Sequence, residues 1–239
     1  MQKIKKKIKT QMQPEDEIRS IAHNVSDYYQ AYRKPFNLAI GVVVLVLAVA
    51  LIYSFVQSSN EKKASQMLST AYDAYNPGGG APANYPQALK RFQDTVSQYG
   101  GTLNGAIAQF YAGNTYVQMG QLEAAIKEYE TFTKNYSGEK FLLGLVYQRI
   151  GYTYLAMGKQ DEAVKAFAQA ESIAGTGPAT LELARIYDRT GKIQEALKSY
   201  KDITNNLPSS AWAMEARAKL PQPAMGQPPT AVQPGAAAK

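Results

Sequence analysis

Three stretches of this 239-residue chain share one internal spacing, and that spacing limits the possible fold more than any other feature. The first reads Gly113-Asn114-Thr115-Tyr116, followed by Gly120, Ala125 and Tyr129. The second reads Gly151-Tyr152-Thr153-Tyr154, followed by Gly158, Ala163 and Phe167. The third reads Ala184-Arg185-Ile186-Tyr187, followed by Gly191, Ala196, Tyr200 and Pro208. The glycines after the tyrosines lie 38 and 33 residues apart. The pattern predicts pairs of antiparallel helices joined by tight turns. Gly120, Gly158 and Gly191 fall where the first helix of each pair must stop. Glycine there enters the left-handed conformation without a Cβ penalty. The small residues Gly113, Gly151 and Ala184 let two helices approach, and Ala125, Ala163 and Ala196 do so from the second helix. Tyr129, Phe167 and Tyr200 fill the space between. Each pair leaves an apolar face open, which the next pair covers.

This register resembles the tetratricopeptide repeat family, at residues 106–137, 144–175 and 177–208. It departs from the family in lacking the early tryptophan, in extra residues around Ser137-Gly138-Glu139-Lys140, and in Ala184 at a glycine position. The resemblance implies an all-α chain whose main domain is an α-solenoid of three clear repeats. A degenerate repeat is expected ahead of them. Ala88, Phe92 and Val96 would lie on its second helix, and Leu68, Ala71, Tyr72 and Tyr75 on its first. The link Asn76-Pro77-Gly78-Gly79-Gly80-Ala81-Pro82 is too rich in glycine and proline for helix and reads as an exposed loop. No Gly-Lys-Ser/Thr follows it, so it is not a phosphate loop. Ala211 to Leu220 reads as a capping helix, with Trp212 covering the last repeat.

A second feature sits near the N-terminus. Leu38 to Val56 is an uncharged run of 19 residues, apolar on every face. About 20 such residues span the hydrocarbon of a bilayer. Tyr32 and Phe36 flank one end, Tyr53 and Phe55 the other, as interfacial aromatics do. The run starts too late and extends too far for a cleaved signal peptide, and it reads as a signal anchor. Residues 1–35 carry 8 Lys/Arg against 4 Asp/Glu, whereas only Lys62 and Lys63 follow closely after the run. That asymmetry places the N-terminus in the cytoplasm. Lys3 to Lys9 form a polybasic cluster suited to anionic headgroups. Pro14 with Glu15, Asp16 and Glu17 signals a helix start, and Ile18, Ile21, Ala22, Val25, Tyr29 and Tyr32 follow at helical spacing. An amphipathic helix on the inner leaflet and a plain flank of the anchor both fit this segment. The expected organisation is a basic tail at 1–35, a transmembrane anchor at 36–56, the repeat domain at 57–220 and a Pro/Ala-rich disordered tail at 221–239.

Composition closes several routes to chemistry. The chain has no cysteine, and its one histidine, His23, precedes the apolar run. Thiol nucleophiles, cysteine-ligated metals and histidine triads are therefore excluded within one chain. Glu123, Glu128 and Glu130 lie on a second helix, where acids ordinarily face solvent. Asp161-Glu162 opens another helix, where acids complement the dipole. No hydrolase, zincin or dinucleotide fingerprint appears. The expectation is a non-enzyme without cofactor or metal. The net charge of +7 gathers at the N-terminus, and residues 57–220 hold 17 basic against 15 acidic residues. A nucleic-acid partner is not expected.

What remains is a binding surface. In the family, the first helix of each pair lines the concave face. Carried over, the inward positions are Ile107, Phe110, Asn114 and Gln118, then Gln148, Tyr152 and Leu155, then Leu181, Arg185, Asp188 and Arg189. Phe110, Asn114, Gln118, Gln148, Tyr152, Arg185 and Arg189 form the candidate peptide site. Asn114, Arg185 and Arg189 are first in line for polar contacts to a peptide or carboxylate. The layout also resembles the membrane-anchored ancillary subunit of the bacterial Sec translocon. That resemblance implies a single-pass inner-membrane protein with a periplasmic repeat domain. Its partners would be the translocon, a membrane-anchored chaperone and nascent polypeptides. A scaffold subunit of a cell-division, secretion, pilus or outer-membrane-assembly machine is the alternative.

Overall fold

A computed structural model of the chain describes residues 14–221, with side chains from residue 18. The polybasic cluster Lys3–Lys9 and the expected tail from residue 222 onward lie outside the described residues. Among the described residues there are nine α-helices and no strand. The chain divides into two compact units, Met1–Ser59 and Asn60–Lys239.

The first unit is helical from Pro14, the start that proline and the acids after it predict. This helix, α1 (Pro14–Tyr75), carries Pro35 inside it. Tail helix and apolar run, read separately from sequence, are thus one helix, although Pro35 offers no N–H to the ladder. The side chains from Leu38 to Val56 are all exposed, Leu51 at 71% and Phe55 at 77%. It is the one helix among the described residues long and apolar enough to cross a membrane, and none of that stretch is buried in the protein.

The second unit begins with the last turns of α1. Asn76 to Pro82 form the exposed link, with a short 3-10 turn at Gly78–Gly80. Then follow α2 (Tyr85–Tyr99), α3 (Leu103–Gln118), α4 (Leu122–Asn135), α5 (Lys140–Ala156), α6 (Gln160–Ala174), α7 (Pro178–Arg189), α8 (Ile193–Asn206) and α9 (Ala211–Lys219). The pairs are α3–α4, α5–α6 and α7–α8, with α9 as the cap. The end of α1 pairs with α2 as the degenerate repeat. Ala71, Ala74, Ala88 and Phe92 share one buried cluster with Ala108 and Ala112 of α3.

Each predicted turn glycine has positive φ: 71° at Gly120, 74° at Gly158 and 73° at Gly191. The close approaches are real. A Cβ on Gly113 would lie 2.3 Å from Tyr129 Cε1, and one on Gly151 would lie 2.7 Å from Phe167 Cε1. The extra residues between the first two units do not make a long loop. Most of them add a turn to the start of α5, which begins at Lys140. Trp212 packs against the cluster of Leu181, Ala184 and Tyr200, as the capping role requires.

Helix ends are tied locally. Thr102 Oγ1 accepts from Gly105 N at 2.9 Å, and Ser210 Oγ from Ala213 N at 3.2 Å. Glu61 does this at long range. Its carboxylate accepts from the backbone N–H groups of Leu103 and Asn104, both at 3.0 Å. A carboxylate on the first N–H groups of α3 meets orphan donors and the positive end of the dipole at once. The acids on α4 correct one expectation. Glu123 and Glu130 are exposed, but Glu128 is half-buried and accepts from the Gln109 amide. Desolvation raises its pKa, against the hydrogen bonds from Gln93 and Gln109.

Tyr200 fills the third pair beside Ala184. It is 2% exposed, and its hydroxyl has no hydrogen-bond partner among the described residues. A buried unsatisfied hydroxyl costs about 1–3 kcal/mol. Tyr200→Phe keeps the ring and removes that group. Its urea midpoint is expected to rise, by about 1 kcal/mol in stability. A lower midpoint would show that the hydroxyl is satisfied in solution.

Candidate functional site

The first helices bring aromatic side chains together. Tyr111 on α3 is the hub. Its ring lies 5.5 Å from Phe92, nearly parallel, and 5.4 and 5.6 Å from Tyr72 and Tyr75 in edge-to-face contacts. Phe110 meets the same ring at 5.5 Å. These are favourable offset and T-shaped geometries. The hub exists because α1 ends one turn past Tyr72, so that Tyr72 and Tyr75, three residues apart on one helix face, both reach α3.

Beside the hub lies a cleft of about 320 Å³. Its walls come from three helices: Tyr72 and Tyr75 of α1, Asn114 and Gln118 of α3, and Arg149 and Tyr152 of α5, over a floor that includes Tyr129. Tyr129 is fully buried and donates its hydroxyl to Asn114 Oδ1 at 2.7 Å. Tyr152 donates to Glu182 Oε1 at 3.2 Å and sets its ring edge-to-face on Phe167. Burial raises the pKa of Tyr75, Tyr111, Tyr129 and Tyr152, so their hydroxyls remain donors at neutral pH.

Four of the seven candidate residues line this cleft: Phe110, Asn114, Gln118 and Tyr152. Gln118 and Tyr152 are open to solvent, whereas Phe110 and Asn114 are buried at 9% and 8% exposure. The other three are elsewhere. Gln148 lines a separate apolar cleft with Phe141 and Trp212. Arg189 borders a shallow hollow with Leu155 and Gly158.

Arg185 is held by the chain's own carboxylates. Its Nη1 donates to Glu182 Oε1 at 2.6 Å, its Nε to Glu215 Oε1 at 2.7 Å and its Nη2 to Glu215 Oε2 at 2.5 Å. Those hydrogen bonds raise its pKa and lower that of Glu215. Such a fork fixes α9 against α7 and leaves few donors for a ligand. Asp188, also placed inward by the sequence, is occupied by Lys219 Nζ at 2.8 Å. Leu181 is a core residue, 4% exposed.

The cation that does face the cleft is Arg149, which the sequence did not single out. It follows Gln148 by one residue, about 100° around the helix. On α5 the cleft takes Tyr152 together with Arg149, while Gln148 lines the neighbouring one. Tyr72 and Tyr75 were legible as helix residues, but nothing local tied them to a site on α3 and α5. Among the described residues, no group of three or more His, Asp or Glu side chains is placed to hold a metal ion.

A family described as a tetratricopeptide repeat-like domain matches residues 26–220, a span that takes in the apolar run as well as the repeats. No curated protein sequence matches the chain. Among solved structures, a tetratricopeptide repeat protein from Parabacteroides merdae aligns with TM-score 0.54 and 12% identity. The match covers 66% of this chain and 59% of that one. PilW, a type IV pilus biogenesis factor, aligns with TM-score 0.52 and 14% identity, covering 64% of this chain and 67% of that one. At those identities the likeness is one of fold, and the chain spans 59% of the length of the Parabacteroides protein.

Proposed function

The chain belongs to the tetratricopeptide repeat-like domain family, and on that premise we propose that it is a membrane-anchored docking module for polypeptides in the bacterial envelope. The observation that carries this reading is the aromatic cleft on the first helices, in a family match that takes in the exposed apolar run of α1. An aromatic-lined cleft between stacked helices suits a peptide segment rather than a folded partner. The helix, at about 1.5 Å per residue, has the reach to cross a bilayer. The basic residues before it support a cytoplasmic N-terminus and a periplasmic repeat domain. In this reading the anchor sits beside the Sec channel, and the cleft receives newly translocated chains and passes them to a membrane-anchored chaperone.

A scaffold role in another envelope machine is the second reading, supported by the shared fold with PilW. In-cell photocrosslinking separates the two. Photoreactive residues at Tyr152, in the cleft, and Val46, in the apolar run, are expected to report different neighbours. The handover role predicts translocon crosslinks from Val46, and chaperone and many nascent chains from Tyr152. One fixed stoichiometric partner at Tyr152, with no translocon at Val46, would make the protein a scaffold subunit.

A further inference from the structure

We infer that the cleft selects extended segments carrying an aromatic side chain next to an acidic one; this rests on the docking role proposed above. Among the described residues, Arg149 is the only charged one lining the cleft. It is exposed, and no ion pair among the described residues engages it. Arg185 and Lys219 differ in this respect, since both are satisfied by carboxylates of the chain itself. A guanidinium beside aromatic walls, with no carboxylate of the chain upon it, offers its fork of donors to an anionic side chain. No acidic side chain among the described residues lines the cleft to compete for it.

The aromatic half of the preference comes from the same walls. Tyr72, Tyr75 and Tyr111 present ring faces and edges that a ligand ring can meet in offset or T-shaped contact. The hydroxyls of Tyr72 and Tyr75 add donors for a peptide carbonyl or the carboxylate.

The occupant is an internal stretch of chain rather than a chain end. Tyr72 and Tyr111 also line a second hollow of about 330 Å³, with Ser65, Leu68 and Ser69 of α1. The two hollows share these two rings, and an extended segment reaching beyond the first would meet the second along α1. A volume near the lower bound of ligand sites, about 300 Å³, admits a few side chains and not a folded surface.

The test uses the full chain in nanodiscs of phosphatidylethanolamine and phosphatidylglycerol. The probes are fluorescein-labelled peptides with blocked termini, identical except at two adjacent central positions. These carry phenylalanine with aspartate, asparagine or lysine, or alanine with aspartate. Fluorescence polarisation is expected to rank phenylalanine–aspartate first, about tenfold tighter than phenylalanine–lysine, a difference of ~1.4 kcal/mol. Arg149→Gln should erase the preference for aspartate over asparagine and keep that for phenylalanine over alanine. Lys198→Gln, which removes an exposed cation on α8 away from the cleft, should change neither.

Binding of all peptides with equal affinity would overturn the selectivity while leaving a general polypeptide groove intact. Aspartate preference that survives Arg149→Gln would overturn the assignment of the cation. Absence of binding by every peptide would overturn the inference. The docking role itself would then be decided by the Tyr152 crosslinks in cells, which do not depend on these probes.

Discussion

Replacing Gly113 with alanine is expected to open the α3–α4 pair. The added Cβ would fall 2.3 Å from Cε1 and 2.6 Å from Cδ1 of Tyr129. That ring has nowhere to go. It is fully buried, and its hydroxyl is tied to Asn114 at 2.7 Å. Overpacking a site of this kind costs about 1–3 kcal/mol, and valine should cost more than alanine. Repeat arrays lose structure locally, so the effect belongs to α3, α4 and their immediate neighbours. Amide hydrogen exchange on the full chain is the measurement. Protection should fall across α3 and α4 and hold in α7 and α8.

The third pair provides an internal contrast. Ala184 already carries a methyl at the equivalent position, fully buried in the same cluster as Tyr200. Ala184→Gly should therefore lose packing, about 1 kcal/mol, rather than relieve a clash. If Gly113→Ala left exchange in α3 and α4 unchanged, the helices would not be in contact through that glycine.

Stability should fall as pH rises above about 10, and fall steeply. Tyr129 is the largest contributor. Burial pushes its pKa well above the ordinary value of 10.0, partly offset by the charge of Arg149. Tyr75, Tyr111, Tyr136, Tyr152, Tyr154 and Tyr200 shift the same way, with desolvation the first cause in each. For a phenol whose folded pKa is raised, stability is fully present below the unfolded pKa. It is lost as pH climbs from there towards the folded pKa, because the unfolded chain ionises first. For Tyr129 the loss is about 1.4 kcal/mol for each pH unit in that window. Thermal unfolding of the full chain between pH 8 and pH 12, followed by far-UV circular dichroism, reads this out. Tyr129→Phe should lower stability at neutral pH, through the lost bond to Asn114, and flatten the alkaline slope. A slope unchanged by Tyr129→Phe would mean that other groups drive the transition.

Arg149 on α5 shows where local reading ends. The choice between Gln148 and Arg149 as the inward residue depends on the rotation of α5 about its own axis. That rotation is fixed by how Val146, Ile150 and Gly151 bury against α3, α4 and α6, which no motif within α5 encodes. Arg185 illustrates the same gap. Its type and position fitted a ligand-binding cation, and only the return of α9, which brings Glu215 from 30 residues away, shows that it is satisfied internally. Glu61 is a third case, since its partners on α3 are 42 and 43 residues ahead.

The sequence by itself determined the helical pairs, the left-handed glycines at 120, 158 and 191, the capping helix and the apolar run. Each of these rests on short-range chemistry: a periodicity, a φ angle without a Cβ, or an unbroken apolar stretch. Only the tertiary structure decided that Tyr72, Tyr75 and Tyr111 meet, that Arg149 stands unpaired beside them, and that Arg185 does not. Those outcomes depend on which faces of separate helices are turned together, and packing sets that only once all the helices are in place.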